Sequence, residues 1–411
     1  MRKAMAITVG TGRTVAHGIT CAIQSQSPTF VLFIGTEESI KKTLPTVLEN
    51  TGLEENQYEV RTTSYPNDVQ RASLECVDHI KWLTQMGYTS KEIVVDFTSG
   101  TKAMSTGLVV AALTMEVARV SYVQGERDEN GRVISGTERV TSLEPNRLVV
   151  KKRMDWAIQF FNCYQFDGCL AVLSDVEGRI GAPDVVEQLT LLTQLAKAYS
   201  AWDRFALKTA MEHFKGLEKY PLLPKWGLKK QVAQNNAALH QEVASDYNPF
   251  KAVDLMENAK RRAEESKFDD TGARLYRLIE YLAQVKLYSN HQRLLTGDLD
   301  ITKLPDELRS KYEPLRNSKG KIELGLAKSY ELLDDLGDPL GRHFMQNYKL
   351  PKNGVKVALG MRNASILAHG FGPIGEEGYN RFLRTIKDYL DYTFDDWQRL
   401  AENVRFPKIR I

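Results

Sequence analysis

The segment Met361-Arg362-Asn363-Ala-Ser-Ile-Leu-Ala368-His369-Gly370 carries three side chains of the kind that handle a phosphodiester. Arginine grips a phosphate through two parallel N–H donors. Histidine can give and take a proton near neutrality. Asn363 can orient a phosphate oxygen or the imidazole. RNA brings its own nucleophile, the 2′-hydroxyl. A site that holds the phosphate, stabilises developing charge and moves protons can therefore cut it without a metal. Arg362 and His369 are seven residues apart, close to two helical turns, which predicts both side chains on one face of a helix over 355–368. Ile366 and Leu367 would anchor that helix and Gly370 would end it. Taken alone, such a pair also suits an ordinary helix surface and its cap.

Two loops in the first half offer a different chemistry. Val9-Gly10-Thr11-Gly12-Arg13-Thr14 follows an apolar run, and Asp96-Phe97-Thr98-Ser99-Gly100-Thr101-Lys102 leads from another run into a helical pattern. Small residues let backbone approach a phosphate, and the N–H groups that open a helix point at it. The hydroxyls of Thr98, Ser99 and Thr101 add donors, and Lys102 adds charge. The standard fingerprints are incomplete. Position 15 is valine where a dinucleotide motif has its third glycine, and Ser99–Ala103 lacks the first glycine and the final Ser/Thr of a Walker loop. A tight strand-to-helix turn would use the same residues, but two such loops, one with a lysine, favour anion binding.

These loops need strands beneath them. Apolar runs at 4–9, 30–34, 58–62, 93–97 and 117–123, with helical patterns between them at 69–86 and 101–115, predict a parallel, doubly wound α/β sheet over residues 1–150. Asp128–Gly131 reads as a hairpin turn into a strand at 132–135. Beyond Arg147 the apolar spacing is helical throughout, with helices expected at 252–266, 271–289, 355–368 and 379–404 and a loop at 349–354. Tyr220–Trp226 is read as a break between helices.

Length and composition fit this division. A chain of 411 residues accommodates two or three domains. A net charge of +3 assigns any nucleic-acid contact to local basic patches. The longest apolar runs are too short for a membrane span, and the first one breaks at Gly10 too early for a signal core. Cys21, Cys76, Cys163 and Cys169 form no metal-ligand spacing and read as reduced packing thiols of a cytoplasmic protein.

Asp96-Phe-Thr-Ser-Gly-Thr-Lys102 resembles the D-x-T-x-G-T-K signature of CARF domains, the sensor domains of CRISPR-associated proteins. The resemblance implies a Rossmann-like homodimer that binds cyclic oligoadenylate on its two-fold axis. The matching residues here are Thr11, Gly12, Thr98, Gly100, Thr101 and Lys102. Arg362-Asn363…His369-Gly370 in turn resembles the R-x(4–6)-H motif of HEPN ribonucleases. Asp270–Gln284 is similar to the R-L-Y-R-x-x-E helix of one CARF–HEPN family of type III CRISPR systems, which makes Arg274, Arg277 and Glu280 candidate supporting or RNA-contacting residues. The same segment also reads as amphipathic packing.

The two resemblances, in the expected order along the chain, imply a CARF-like sensor over 1–150, a helical connector over 151–250 and a HEPN ribonuclease over 251–411. The implied activity is metal-independent cleavage of single-stranded RNA that leaves a 2′,3′-cyclic phosphate and a 5′-hydroxyl. Arg362, Asn363 and His369 would be catalytic. No cofactor is implied beyond a cyclic oligoadenylate activator, with tetra-adenylate favoured over hexa-adenylate. A non-catalytic sensor with a helical interaction module is the alternative, though it leaves Arg362, Asn363 and His369 unexplained. A conventional nucleotide-dependent Rossmann enzyme fits less well, because the glycine fingerprint is incomplete.

Overall fold

The computed structural model describes residues 2–12, 14–126, 129, 134, 136–143, 146–176, 183–348, 350 and 355–410. They form two compact units, one built on residues 1–153 and the other on 154–175 and 181–411.

In the first unit strands and helices alternate: β1 (Ala4–Val9), α1 (Val15–Gln26), β2 (Phe30–Gly35), α2 (Glu37–Thr51), β3 (Tyr58–Thr62), α3 (Val69–Gln85), β4 (Ile93–Asp96), α4 (Lys102–Thr114), β5 (Arg119–Gln124) and β6 (Arg139–Leu143). The sheet order is β3-β2-β1-β4-β5-β6. β1 to β5 run parallel, and β6 returns antiparallel along β5. β1 is buried along its whole length because helices cover both faces of the sheet. Ala4 and Ala6 join the core under α3 and α4, while Met5, Ile7 and Val9 join the core with α1 and α2, as the two-residue period of a strand requires. The strand that returns along β5 is Arg139–Leu143. Of the expected turn and strand, residues 128, 130–133 and 135 lie outside the described residues, as does Arg13 of the first loop.

The second unit is helical. It contains most of α5 (Asn146–Asn162), then α6 (Phe166–Ser174), α7 (Pro183–Asp203), α8 (Leu207–Phe214), α9 (Leu222–Lys225), α10 (Lys229–Ala244), α11 (Pro249–Glu264) and α12 (Phe268–Asn290). After these come α13 (Asp306–Tyr312), α14 (Leu326–Asp335), α15 (Pro339–Tyr348), α16 (Val355–Asn363), α17 (Glu376–Thr393) and α18 (Trp397–Val404). The short helix α9 occupies the break expected at 220–226. The loop expected over 349–354 lies outside the described residues except for Leu350. The expected final helix is two helices. The backbone turns extended at Phe394, and Trp397 donates its indole N–H back to Asp391 at 2.7 Å.

One hydrophobic core runs from Ala157 to Ile409. The C-terminal tail completes it. Asn162 exchanges two hydrogen bonds with the Ile409 backbone, and the Asn235 amide donates to the carbonyls of Asn403 and Arg405. Phe406 packs 4.7 Å from the Tyr199 ring, with the Arg261 guanidinium 3.7 Å from its own ring centroid. Arg261 is itself buried and bonded to Asp203 and Asp254. Among the described residues, no helix is long and apolar enough to cross a membrane.

Candidate active site and phosphate-facing loops

The strand order brings the two glycine-bearing loops together. β1 and β4 are neighbours although more than eighty residues separate them, and the chain leaves them in opposite directions across the sheet, a switch point where α/β sheets bind ligands. Ser99, buried at this junction, staples the loops. Its hydroxyl donates to the Thr8 carbonyl at 2.5 Å and accepts from the Gly10 N–H at 3.2 Å, while the Thr8 hydroxyl donates to the Ser99 carbonyl at 2.5 Å. A Cβ at Gly10 would lie 2.5 Å from the Gly100 nitrogen, and Gly100 itself has φ of 99°, so both positions require glycine.

The other motif residues divide into builders and exposed groups. Asp96 is fully buried at the end of β4. It accepts from the Thr98 N–H at 2.9 Å and the Ser121 hydroxyl at 2.8 Å. Burial pushes its carboxyl above the usual range, and these bonds pull it back. The Thr98 hydroxyl accepts the Val123 N–H at 2.8 Å. Thr101 caps α4 by accepting from the Met104 N–H at 3.2 Å and also bonds the Pro66 carbonyl. Thr98 and Thr101 are thus partly engaged in holding the loop. Thr11, Gly12 and Lys102 are exposed, and Lys102 stands at the first position of α4, beside a cavity of about 410 Å³ that Gly100 also lines. The opening N–H groups of α4 and the Lys102 ammonium make this corner suited to an anion.

In the second unit the helix carrying the arginine is shorter than its sequence pattern. α16 ends at Asn363. The Arg362 carbonyl accepts both the N–H and the hydroxyl of Ser365, at 3.1 and 2.8 Å, and this local turn competes with helical bonding. Ser365 is fully buried. A compact turn follows, in which the His369 N–H donates to the Asn363 carbonyl at 3.2 Å. The turn thus returns the His369 backbone to Asn363, beside Arg362 in sequence, in place of a shared helix face. Ile366 and Leu367 do not anchor it: they are 65% and 48% exposed. Gly370 closes the turn by close approach, since a Cβ there would lie 2.8 Å from the Ala364 carbonyl carbon.

Arg362 is half-buried. Its guanidinium lies 4.4 Å from the centroid of the Tyr276 ring and donates to the Asn363 side-chain oxygen at 3.1 Å. Tyr276 comes from α12, within the segment singled out for its arginines, yet the tyrosine is the residue that meets the site. Sequence spacing holds no sign of this, because the contact spans more than eighty residues. Arg274 serves packing instead: it bonds the Asn258 and Asp270 side chains, which ties α12 to α11. Arg277 pairs with Glu280 at 3.4 Å and with Gln284 at 3.0 Å on an exposed face.

Two family models match the helical half in succession: the Csm6 6H domain over residues 151–245 and the Csm6 HEPN domain over 241–393. A CRISPR system endoribonuclease Csm6 from Thermus thermophilus is 26% identical over 95% of this chain and 86% of its own length. The solved structure of Csm6 from Enterococcus italicus, bound to cyclic hexa-2′-fluoro-hexa-dAMP, superposes with a TM-score of 0.62 over 98% of this chain and 99% of that one, at 13% identity. That likeness establishes the shared fold, an α/β domain followed by a helical region. With both domain models in register and the curated relative aligned along nearly the whole length, the chain belongs to the CARF–HEPN endoribonucleases of type III CRISPR systems.

Proposed function

We propose that Arg362, Asn363 and His369 cut single-stranded RNA, and that cyclic oligoadenylate bound by Thr11, Gly12, Thr98, Gly100, Thr101 and Lys102 switches the cutting on. The observation that carries the catalytic half is the turn that returns the His369 backbone to Asn363, next to the arginine resting on Tyr276. Arg362 holds the scissile phosphate. The RNA 2′-oxygen attacks phosphorus, the bond to the 5′-oxygen breaks, and the proton lost from the 2′-hydroxyl is balanced by one gained at the leaving 5′-oxygen. The products are a 2′,3′-cyclic phosphate and a 5′-hydroxyl, and no metal takes part. One Arg–His pair is sparse for two proton transfers, so the working site combines the pairs of two subunits in a homodimer. Residues 1–150 act as sensor, 151–250 as connector and 251–411 as ribonuclease, in the cytoplasm.

Tetra-adenylate is the activator this reading favours, and the six-membered ring on the Enterococcus protein makes hexa-adenylate the necessary comparison. The test is cleavage of end-labelled single-stranded RNA in EDTA, with no activator, with each ring, and with analysis of the product ends. His369→Ala should lose about 10²-fold or more in rate, as expected for a proton-transfer group, while still binding activator. Full cleavage by His369→Ala would remove the proposed active site. Activator binding without any RNA cleavage by the wild-type protein would favour a non-catalytic sensor.

A further inference from the structure

A groove of about 470 Å³ opens beside Asn363 in the helical unit, lined by Tyr276, Tyr348, Lys328, Lys356, Gly360 and Gly325 among others. Lys356, Gly360 and Asn363 follow one another at four and three residues along α16, so one face of that helix runs from the groove floor to the proposed catalytic cluster. Two features of the lining are unexplained by folding, Gly360 and Lys356. Gly360 lies inside a helix, where glycine is unfavourable, yet a Cβ there would meet no atom within 4 Å. Gly325 is equally unobstructed, and it also serves α14 as N-cap, a position that glycine suits. Lys356 is exposed, has no ion pair or hydrogen bond among the described residues, and sits with its ammonium 5.8 Å from the Tyr348 ring centroid. A helix-interior glycine that neither packing nor a positive φ requires keeps a surface open to something that must come close. An ammonium with no partner among the described residues, next to an aromatic ring, suits an anionic, planar group.

We infer that this groove is a nucleotide subsite for the RNA residue adjoining the phosphate at Arg362–His369, with Tyr348 stacking the base and Lys356 meeting the neighbouring phosphate. The inference rests on the catalytic reading of Arg362 and His369. The Tyr348 ring is held in place by stacking on Phe344 at 5.3 Å, so it offers a fixed platform. Tyr276 is the other aromatic wall, but Arg362 lies closer over its ring, at 4.4 Å, whereas the exposed Lys356 ammonium is 5.8 Å from Tyr348 on a flexible stem and can swing from the ring to a phosphate as a base enters. The division of labour follows: Arg362 addresses the scissile phosphate, and the groove selects what stands beside it. Single-stranded nucleic acid is commonly gripped in this way, by basic side chains along the backbone and aromatic rings under the bases.

The test uses the full-length protein with its activating ring and two readouts. The first is affinity for a short single-stranded 2′-fluoro oligonucleotide, which lacks the attacking hydroxyl. The second is the sequence profile of cuts in natural RNA. Lys356→Ala and Gly360→Leu should each weaken binding roughly tenfold and shift the base preference at one position next to the cut. Tyr348→Leu should do the same, and Tyr348→Phe should restore wild-type behaviour. Gly360→Ala checks that the helix tolerates a side chain. Lys356 is exposed, so its variant separates the proposal from a folding defect. Wild-type affinity and an unchanged cut profile in both Lys356→Ala and Gly360→Leu would overturn the subsite, including the case in which the groove serves a protein partner. Failure of the catalytic reading shows elsewhere, as undiminished cleavage by His369→Ala, and leaves the binding measurement to decide the groove by itself.

Discussion

Replacing Tyr276 by leucine tests whether the ring under Arg362 positions it for catalysis. The guanidinium lies 4.4 Å from the ring centroid in a half-buried setting. Burial first, and then the charge of Glu280, raises the Tyr276 phenol above its ordinary value, so the ring stays neutral and its face remains available to a cation. A cation–π contact contributes about 0.5–1 kcal/mol at an exposed site and ~2 when desolvated. For this intermediate case about 1–2 kcal/mol is expected, a rate loss of about 5- to 30-fold. Leucine keeps the apolar bulk and removes only the π-face, so the helix pair should persist. The loss should fall mainly on kcat, because Arg362 is asked to hold charge that grows in the transition state, with a smaller change in KM. Tyr276→Phe keeps the face and should keep the rate. The assay is steady-state cleavage of a fluorogenic single-stranded RNA at saturating activator, with circular dichroism to confirm folding. A Tyr276→Leu protein with wild-type kcat would refute the positioning role. A Tyr276→Phe protein as slow as the leucine variant would move the role to the hydroxyl.

Other perturbations bear on the remaining parts. Lys102→Ala should shift the activation curve to about tenfold to a hundredfold higher activator concentration, the effect of one lost charged hydrogen bond of roughly 1.5–3 kcal/mol, and saturating activator should recover much of the maximum rate; an unmoved midpoint would take Lys102 out of the sensor site. Gly370→Ala should abolish most cleavage while leaving activator binding intact, because the new methyl collides with the Ala364 carbonyl and dislodges the turn that carries His369; wild-type cleavage would show that the turn tolerates the shift. Glu242 is fully buried, both its carboxylate oxygens lack a hydrogen-bond partner, and burial followed by the nearby Asp254 charge holds its carboxyl well above the usual range. The folded state therefore binds this proton more tightly than the unfolded chain, so the group's contribution is fully present below the unfolded value and is lost as pH rises toward the folded one. Glu242→Gln should accordingly raise the melting temperature at pH 7 to 8, with the gain fading as pH falls toward about 4.5, and scanning calorimetry across that range would show it; a gain that grows on acidification would contradict the assignment.

The sequence alone determined the elements whose cause is local. Apolar runs placed β1, β2 and β4, because a strand buried on both faces must be apolar nearly throughout. The α4 start followed from the helical pattern that opens at 101, where the structure makes Thr101 the cap, and the all-helical second half followed from its period. The candidate residues, from Thr11 to Lys102 and from Arg362 to His369, were proposed from residue type, because phosphate chemistry restricts the side chains that can perform it. The tertiary structure decided what depends on distant partners. Periodicity carried the helix through to 368, but the chain leaves it at Asn363, since Ser365 is buried and turns its hydroxyl onto the Arg362 carbonyl while Gly370 folds against Ala364. Tyr276 could not be paired with Arg362 from spacing, and the ends of β1 and β4 could not be known to meet until the strand order set them side by side with Ser99 between them. Local pattern encodes which way a residue faces. Which residue it then faces is settled by packing, a competition among all surfaces of the folded chain that no window of sequence contains.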